Sequence, residues 1–435
     1  MSRSARRSAT LRACGGDLGR QIKLPVEKRL GSRRFVQLGP SSLRSREMVA
    51  RQRIFSHGAE QYRSTPTSAP NRALNVLGYG LWQVPMRWLS IISASAALAA
   101  IATAMASSAL ESRDVSGALE KFARPADIPF PSDNSFTEQK YQLGRLLFFD
   151  TSLSRSQTLA CASCHNPEAS WTDGRARAQG EGPAPLPLRS PTLLNVAWTQ
   201  RLGWDGKFRD LEAVAFAPIT GKANMNLSEG ELIARLESNP QYRAKFAAAF
   251  DDGAINRRNI ELAIATFERT IVSKTSAFDR WVNGDDTAVS GAAKRGFRTF
   301  TGKGHCSECH SDWNFTDGSF HDIGVATGDD IGRGKYFPSS EKLRYAFKTP
   351  SLRNVTRRAP YMHDGSVATL ENVIDLYDKG GIDRPSRAEF IHPLNLTANE
   401  KADLIAFLAT LDDETVEVGV RGALEPDSPA ISLGN

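Results

Sequence analysis

Along most of the chain the apolar residues recur at helical rather than strand spacing. Ile260, Ile264, Phe267 and Ile271 form one stripe, the arrangement that gathers side chains on a single helix face, so this segment is expected to be a core helix. Val373 and Tyr377 share a face of another helix, which Gly380-Gly381 should stop. Two capping boxes mark helix starts, Ser228-Glu229-Gly230-Glu231 and Thr397-Ala398-Asn399-Glu400. The second opens a helix running through Leu404, Phe407 and Leu408. No alternating run of useful length occurs, and the expected fold is mainly α.

Two blocks of sequence repeat. Pro191-Thr192-Leu193-Leu194-Asn195-Val196 is echoed by Pro350-Ser351-Leu352-Arg353-Asn354-Val355, and Trp204-Asp205-Gly206 by His363-Asp364-Gly365, each pair 159 residues apart. Upstream, Trp171-Thr172-Asp173-Gly174 is echoed by Phe315-Thr316-Asp317-Gly318. Fixed spacing of this kind is the mark of an internal duplication. The second half holds extra residues, which fit the Gly- and Asp-rich stretch Gly324 to Gly334, a loop by composition.

Charge separates the N-terminal region from the rest. The whole chain of 435 residues carries a formal +7, but residues 1–85 hold 16 Lys/Arg against 4 Asp/Glu, leaving 39 against 44 for residues 86–435. The body is therefore acidic, and a basic-patch argument for nucleic-acid binding fails. A hydrophobic content of 40% excludes disorder throughout. Met86-Arg87, an apolar run from Trp88 and the Ala104-Met105-Ala106 triplet have the layout of a signal peptide. Residues 1–85 are then expected to precede the true start, or to be a disordered basic tail. The alternative for 88–110 is an uncleaved membrane anchor, since about 20 apolar residues span a bilayer.

Of five cysteines, Cys14 lies in the basic tail and the other four form Cys161-Ala162-Ser163-Cys164-His165 and Cys306-Ser307-Glu308-Cys309-His310. Cys at i and i+3 puts two thiols on one face of a turn with His beside them, and C-x-x-C-H is the haem c attachment signature. A redox dithiol or a zinc site is the competing use of one such motif. Two copies behind an export signal point instead to two covalently bound haem c groups, with His165 and His310 as axial iron ligands. The expected architecture is two cytochrome c-type domains related by internal duplication, at residues 117–283 and 290–412, followed by a flexible tail at 413–435. Between His165 and His305 there is no His, and Met225 is the only soft ligand near the first iron, a position more often filled by core. An open iron able to meet peroxide is the reading for that half. The second iron has His321, Met362, His363 and Tyr377 as candidates for its sixth position.

In order, C-x-x-C-H, T-D-G, S-P-T-L-x-N, W-D-G, a second C-x-x-C-H, T-P-S-L-R-N-V and A-P-Y-M-H-D-G-S resemble the bacterial di-haem cytochrome c peroxidase family, which includes MauG. The resemblance covers about Asp127 to Leu411. It implies that the His165 haem is peroxidatic and that the His310 haem relays electrons, with Tyr377 as sixth ligand where the peroxidases place Met. Tyr oxygen lowers the reduction potential relative to Met. Trp204 matches a Trp beside the peroxidatic haem. The family's switchable His falls near Glu181, its distal Gln on Val214 and its distal acid/base Glu on Asn224. Asp205, Glu212 and Glu181 are the carboxylates that could substitute. A calcium ion between the haems is also implied, but its Asn ligand falls on Arg189, whose charge would repel the ion. The resemblance thus implies a periplasmic oxidoreductase that reduces hydrogen peroxide with electrons from a small c-type cytochrome. The alternatives are a MauG-like oxidase of Trp or Tyr residues in a partner protein and a non-catalytic di-haem electron carrier.

Overall fold

The computed structural model describes residue 117 and residues 119–413. Cys14, the basic tail, the segment 86–110 and residues 414–435 lie outside them. No helix among the described residues is long and apolar enough to cross a membrane.

The described chain is helix-rich. Its longer helices are α1 (Glu138–Phe149), α2 (Glu229–Ser238), α3 (Pro240–Ala249), α4 (Arg257–Arg269), α5 (Ala277–Val282), α6 (Gly291–Thr301), α7 (Leu370–Lys379) and α8 (Ala398–Ala409). Short helical turns lie between them, one at Cys161–Cys164. β1 (Phe320–His321) and β2 (Phe347–Lys348) pair antiparallel as a two-stranded ribbon, with Phe320 opposite Lys348. Both capping boxes form: Ser228 and Glu231 open α2, and Thr397 and Glu400 open α8. Such a cap contributes about 1 kcal/mol to its helix. Gly380, at φ 83°, ends α7 in the left-handed conformation that favours glycine. The stripe on α4 is buried as expected, although the helix stops at Arg269 and Ile271 packs from the following turn.

Helix pairs α1/α4 and α6/α8 carry the two halves. Each crosses at a glycine: a Cβ on Gly144 would collide with the Ala263 carbonyl oxygen, and one on Gly296 with that of Asp403. Only glycine lets the backbones approach so closely. Leu143, Leu147, Phe246, Ile260 and Ile264 fill one core. Phe297, Phe300, Phe315, Phe407 and Leu404 fill the other. The second core also takes Leu119 and Phe122 from the start of the described chain and Phe278 and Trp281 from α5. It therefore draws on residues before 283. At the seam, fully buried Arg353 donates to Asp279 and to the Trp313 carbonyl. Burial alone would raise the Asp279 pKa, but the Arg353 and Arg124 charges outweigh it and hold the carboxyl below its usual range.

The sequence echoes have backbone counterparts. Asn195 and Asn354 are left-handed, at φ 57° and 56°, each leading into a 3-10 turn. Gly206 and Gly365 lie at φ 67° and 69°. The bridge Leu202–Phe208 recurs as Tyr361–Val367.

Candidate functional site

Both C-x-x-C-H segments open on one continuous cavity of about 890 Å³. Its walls are mainly apolar, with Leu193, Leu194 and Val196 on one side and Leu352, Val373 and Ile374 on the other. All four cysteines are unpaired thiols. Burial pushes the Cys161 thiol up, helped by the charge of Glu268, and pushes the Cys306 thiol up to about 12.

The two histidines are held alike. His165 Nδ1 lies 3.2 Å from the Trp171 carbonyl oxygen and His310 Nδ1 lies 2.9 Å from that of Phe315. A carbonyl only accepts, so Nδ1 carries the proton and Nε2 keeps its lone pair, the tautomer an iron ligand needs. Burial lowers both histidine pKa values, which keeps the rings neutral. The left-handed Trp171 and Phe315 turn these carbonyls toward the rings, and Gly174 and Gly318 follow each at φ 65° and 63°.

The cavity also holds cations that form no ion pair among the described residues. Lys348 forms no ion pair among the described residues, and its pKa is lowered to about 8 by burial and by the charge of Arg358. Arg358 is lowered to about 10 by burial and by Arg189. Its guanidinium spends its hydrogen bonds on the carbonyls of Asn354 and Ser351. Buried cations are retained where an anion meets them. Thiol pairs, neutral imidazoles, apolar walls and orphan cations together fit haem c, an apolar macrocycle that carries two propionates.

The candidates for the sixth position in the second half are not equivalent. His321 Nε2 is 2.7 Å from Asp317 Oδ2, and this contact, with that to Cys309, raises its pKa to about 10. Cys309, Asp317 and His321 lie within reach of one metal ion, but Cys309 is one of the two thiols of the haem motif. His363 stacks on Phe347 and meets Asp330 at 2.7 Å. Tyr377 lines the cavity, has no side-chain hydrogen bond among the described residues, and has its pKa raised by burial and by Cys309 and Cys306. In the first half, Met225 packs in the apolar core with Leu143 and Leu147 and also lines the cavity.

Trp204, Val214 and Asn224 line the cavity. Trp204 Nε1 donates to the Arg189 carbonyl oxygen at 3.0 Å. The Asn224 backbone is fixed by the Gly221 carbonyl and the Glu181 amide, and its side chain has no hydrogen bond among the described residues. The three carboxylates expected to replace the missing acid are otherwise engaged. Glu181 is half-buried and accepts from the Ser156 amide, and Glu212 is locked to Arg269 and Asn134. Asp205 pairs with Lys335 and caps the Lys207 amide.

Sequence reading passed over Glu268. It lines the cavity, its Oε2 has no hydrogen-bond partner, and burial pushes its pKa up to about 8. The available signal was an acidic residue at the buried end of an otherwise apolar helix face. Lys348 and Arg358 were passed over for want of any motif.

Calcium fits poorly. The Arg189 guanidinium already donates to the carbonyl oxygens of Pro360 and Arg358.

The family model for di-haem cytochrome c peroxidase matches residues 138–287. The methylamine utilization protein MauG of Methylorubrum extorquens is 48% identical over 322 residues, covering 74% of this chain and 90% of that protein. The cytochrome c551 peroxidase of Nitrosomonas europaea is 33% identical, covering 62% and 79%. A solved structure of a MauG-like protein associated with microbial copper homeostasis matches with a TM-score of 0.64 at 33% identity, covering 68% of this chain and 97% of that one.

Proposed function

Since this chain belongs to the di-haem cytochrome c peroxidase family that includes MauG, we propose that it is an exported di-haem c oxidoreductase that consumes hydrogen peroxide at the His165 site. In this reading the fold is a duplication of two cytochrome c-type halves, supported by the paired backbone conformations at Asn195/Asn354 and Gly206/Gly365. Haem c in each half would supply iron that accepts and passes oxidising equivalents.

The chain's own groups set the roles. Cys161 and Cys164 hold the first haem, and Cys306 and Cys309 the second. His165 and His310 would present Nε2 to the two irons, and Lys348 and Arg358 would receive propionates. The observation that carries the division of labour is the asymmetry in free ligands. Tyr377 presents beside Cys306 and Cys309 a hydroxyl with no hydrogen bond among the described residues, whereas in the first half Met225 reaches the cavity wall but packs in the apolar core with Leu143 and Leu147. In this reading Tyr377 would close the second iron, which would relay electrons, and the His165 iron would stay open to peroxide beside Trp204 and Asn224.

A second reading concerns where the oxidising equivalents go. Tyr rather than Met at the relay site lowers its potential and disfavours reduction by an ordinary small cytochrome. That, with the 48% identity to a MauG, favours MauG-like oxidation of Trp or Tyr side chains in a partner protein over plain peroxidase turnover. Stopped-flow mixing of the diferric protein with peroxide tests both. A rapid change in the haem spectrum is expected, and an unchanged spectrum leaves only an electron carrier. Rapid oxidation of reduced cytochrome c would select the peroxidase.

A further inference from the structure

Arg189 sits where the two halves meet, and its amide and both terminal guanidinium nitrogens join them, while its buried Nε has no hydrogen-bond partner among the described residues. Its amide donates to the His363 carbonyl at 3.0 Å, and its carbonyl accepts from Trp204 Nε1 at 3.0 Å. Its guanidinium donates to the carbonyls of Pro360 and Arg358, the latter at 2.9 Å. The residue is 6% exposed. It thereby ties the W-D-G loop of the first half to the A-P-Y-M-H-D-G loop of the second.

Two main-chain carbonyls converging on one buried point make a cation site. Calcium takes 6–8 oxygen ligands, carboxylates prominent among them. Here the point is filled by a guanidinium, and its charge helps burial to lower the pKa of a second, that of Arg358. The carboxylate that acts on Arg189 is that of Asp173, with one oxygen lacking a hydrogen-bond partner. Two cations against one carboxylate repel a divalent ion and leave it no place.

The geometry points to Arg189 as a built-in cation that does the work of a metal ion between the halves, making this protein calcium-independent. Arg189 is then a positioning residue. It fixes Trp204 through its carbonyl and places a permanent positive charge between the two haem sites. The inference rests on the di-haem reading, but its tests read out separately from peroxide chemistry.

The first test is elemental analysis of the haem-loaded full-length protein purified with calcium present. The result expected is no stoichiometric calcium, with melting temperature and absorption spectrum unmoved by EGTA. One calcium per chain, whose removal shifts either, overturns the inference. The second test separates charge from scaffolding by redox titration of Arg189→Gln and Arg189→Lys. Gln keeps a donor and loses the charge, so both haem potentials should fall in Arg189→Gln and recover in Arg189→Lys. Potentials in Arg189→Gln equal to those of the unsubstituted protein overturn the electrostatic role. If Arg189→Gln does not fold, calcium content alone decides. Failure to react with peroxide would sink the proposed function and leave these readouts intact.

Discussion

Arg269 closes on Glu212 with both terminal guanidinium nitrogens, at 2.7 and 2.9 Å, and Asn134 adds a third hydrogen bond at 2.7 Å. Burial works to raise the Glu212 pKa, but the Arg269 and Asn134 hydrogen bonds and the Arg269 charge lower it on balance. Glu212 is thus a permanently charged structural group and no proton donor. Glu212→Ala leaves Arg269 buried without its partner, which costs about 3–5 kcal/mol. Denaturant unfolding should show that loss, while the haem spectrum of the remaining folded protein stays as it was.

Glu268, one residue before Arg269, has the opposite fate. Its pKa rises from 4.5 to about 8, chiefly through burial. The folded protein then binds a proton that the unfolded chain releases, so this contribution to stability is fully present below the ordinary carboxyl range and is lost as pH climbs through about 8. Glu268→Gln removes the titration. Melting temperatures taken between about pH 5 and pH 8 should fall less steeply for the variant. Parallel curves would mean that Glu268 does not bind the extra proton.

Much of this was legible in the sequence where chemistry is local. The capping boxes at Ser228 and Thr397, the stop at Gly380 and the thiol and imidazole sets of Cys161 to His165 and Cys306 to His310 depend on neighbours within a few residues, and sequence spacing records such neighbours. The contacts that decide which carboxylates and cations are free were not legible. Glu212 meets Arg269 across 57 residues, and Arg189 meets Arg358 across 169. Glu268 and Lys348 acquire their character from what fails to pair with them, and no motif encodes an absent partner. The second core drew on Phe122 and Trp281 for a related reason, since apolar spacing shows that a side chain is buried but not in which core.

Tyr377 supplies the test of the relay site. With its hydroxyl as sixth ligand, Tyr377→Phe converts the second haem from six- to five-coordinate, which electron paramagnetic resonance reads as loss of a low-spin ferric signal. Tyr377→Met keeps the site closed with a softer ligand and raises its potential, by on the order of a hundred millivolts within the ~0.8 V range that axial ligands span. An unchanged low-spin signal in Tyr377→Phe would remove Tyr377 from the iron.

Asn224 bears on the speed of the reaction. It lines the cavity with a side chain that has no hydrogen bond among the described residues, on a backbone pinned by Gly221 and Glu181. An amide there can orient peroxide but cannot give it a proton. A correctly placed acid is worth about two to four orders of magnitude. Asn224→Glu should therefore accelerate peroxide consumption in stopped-flow by a large part of that factor, while Asn224→Gln, equal in size and unable to donate a proton from an acid, should not. If both variants match the unsubstituted protein, position 224 does not supply the missing acid. Glu268, the one buried carboxyl in this cavity whose pKa is raised toward neutrality, would then be the group to replace next.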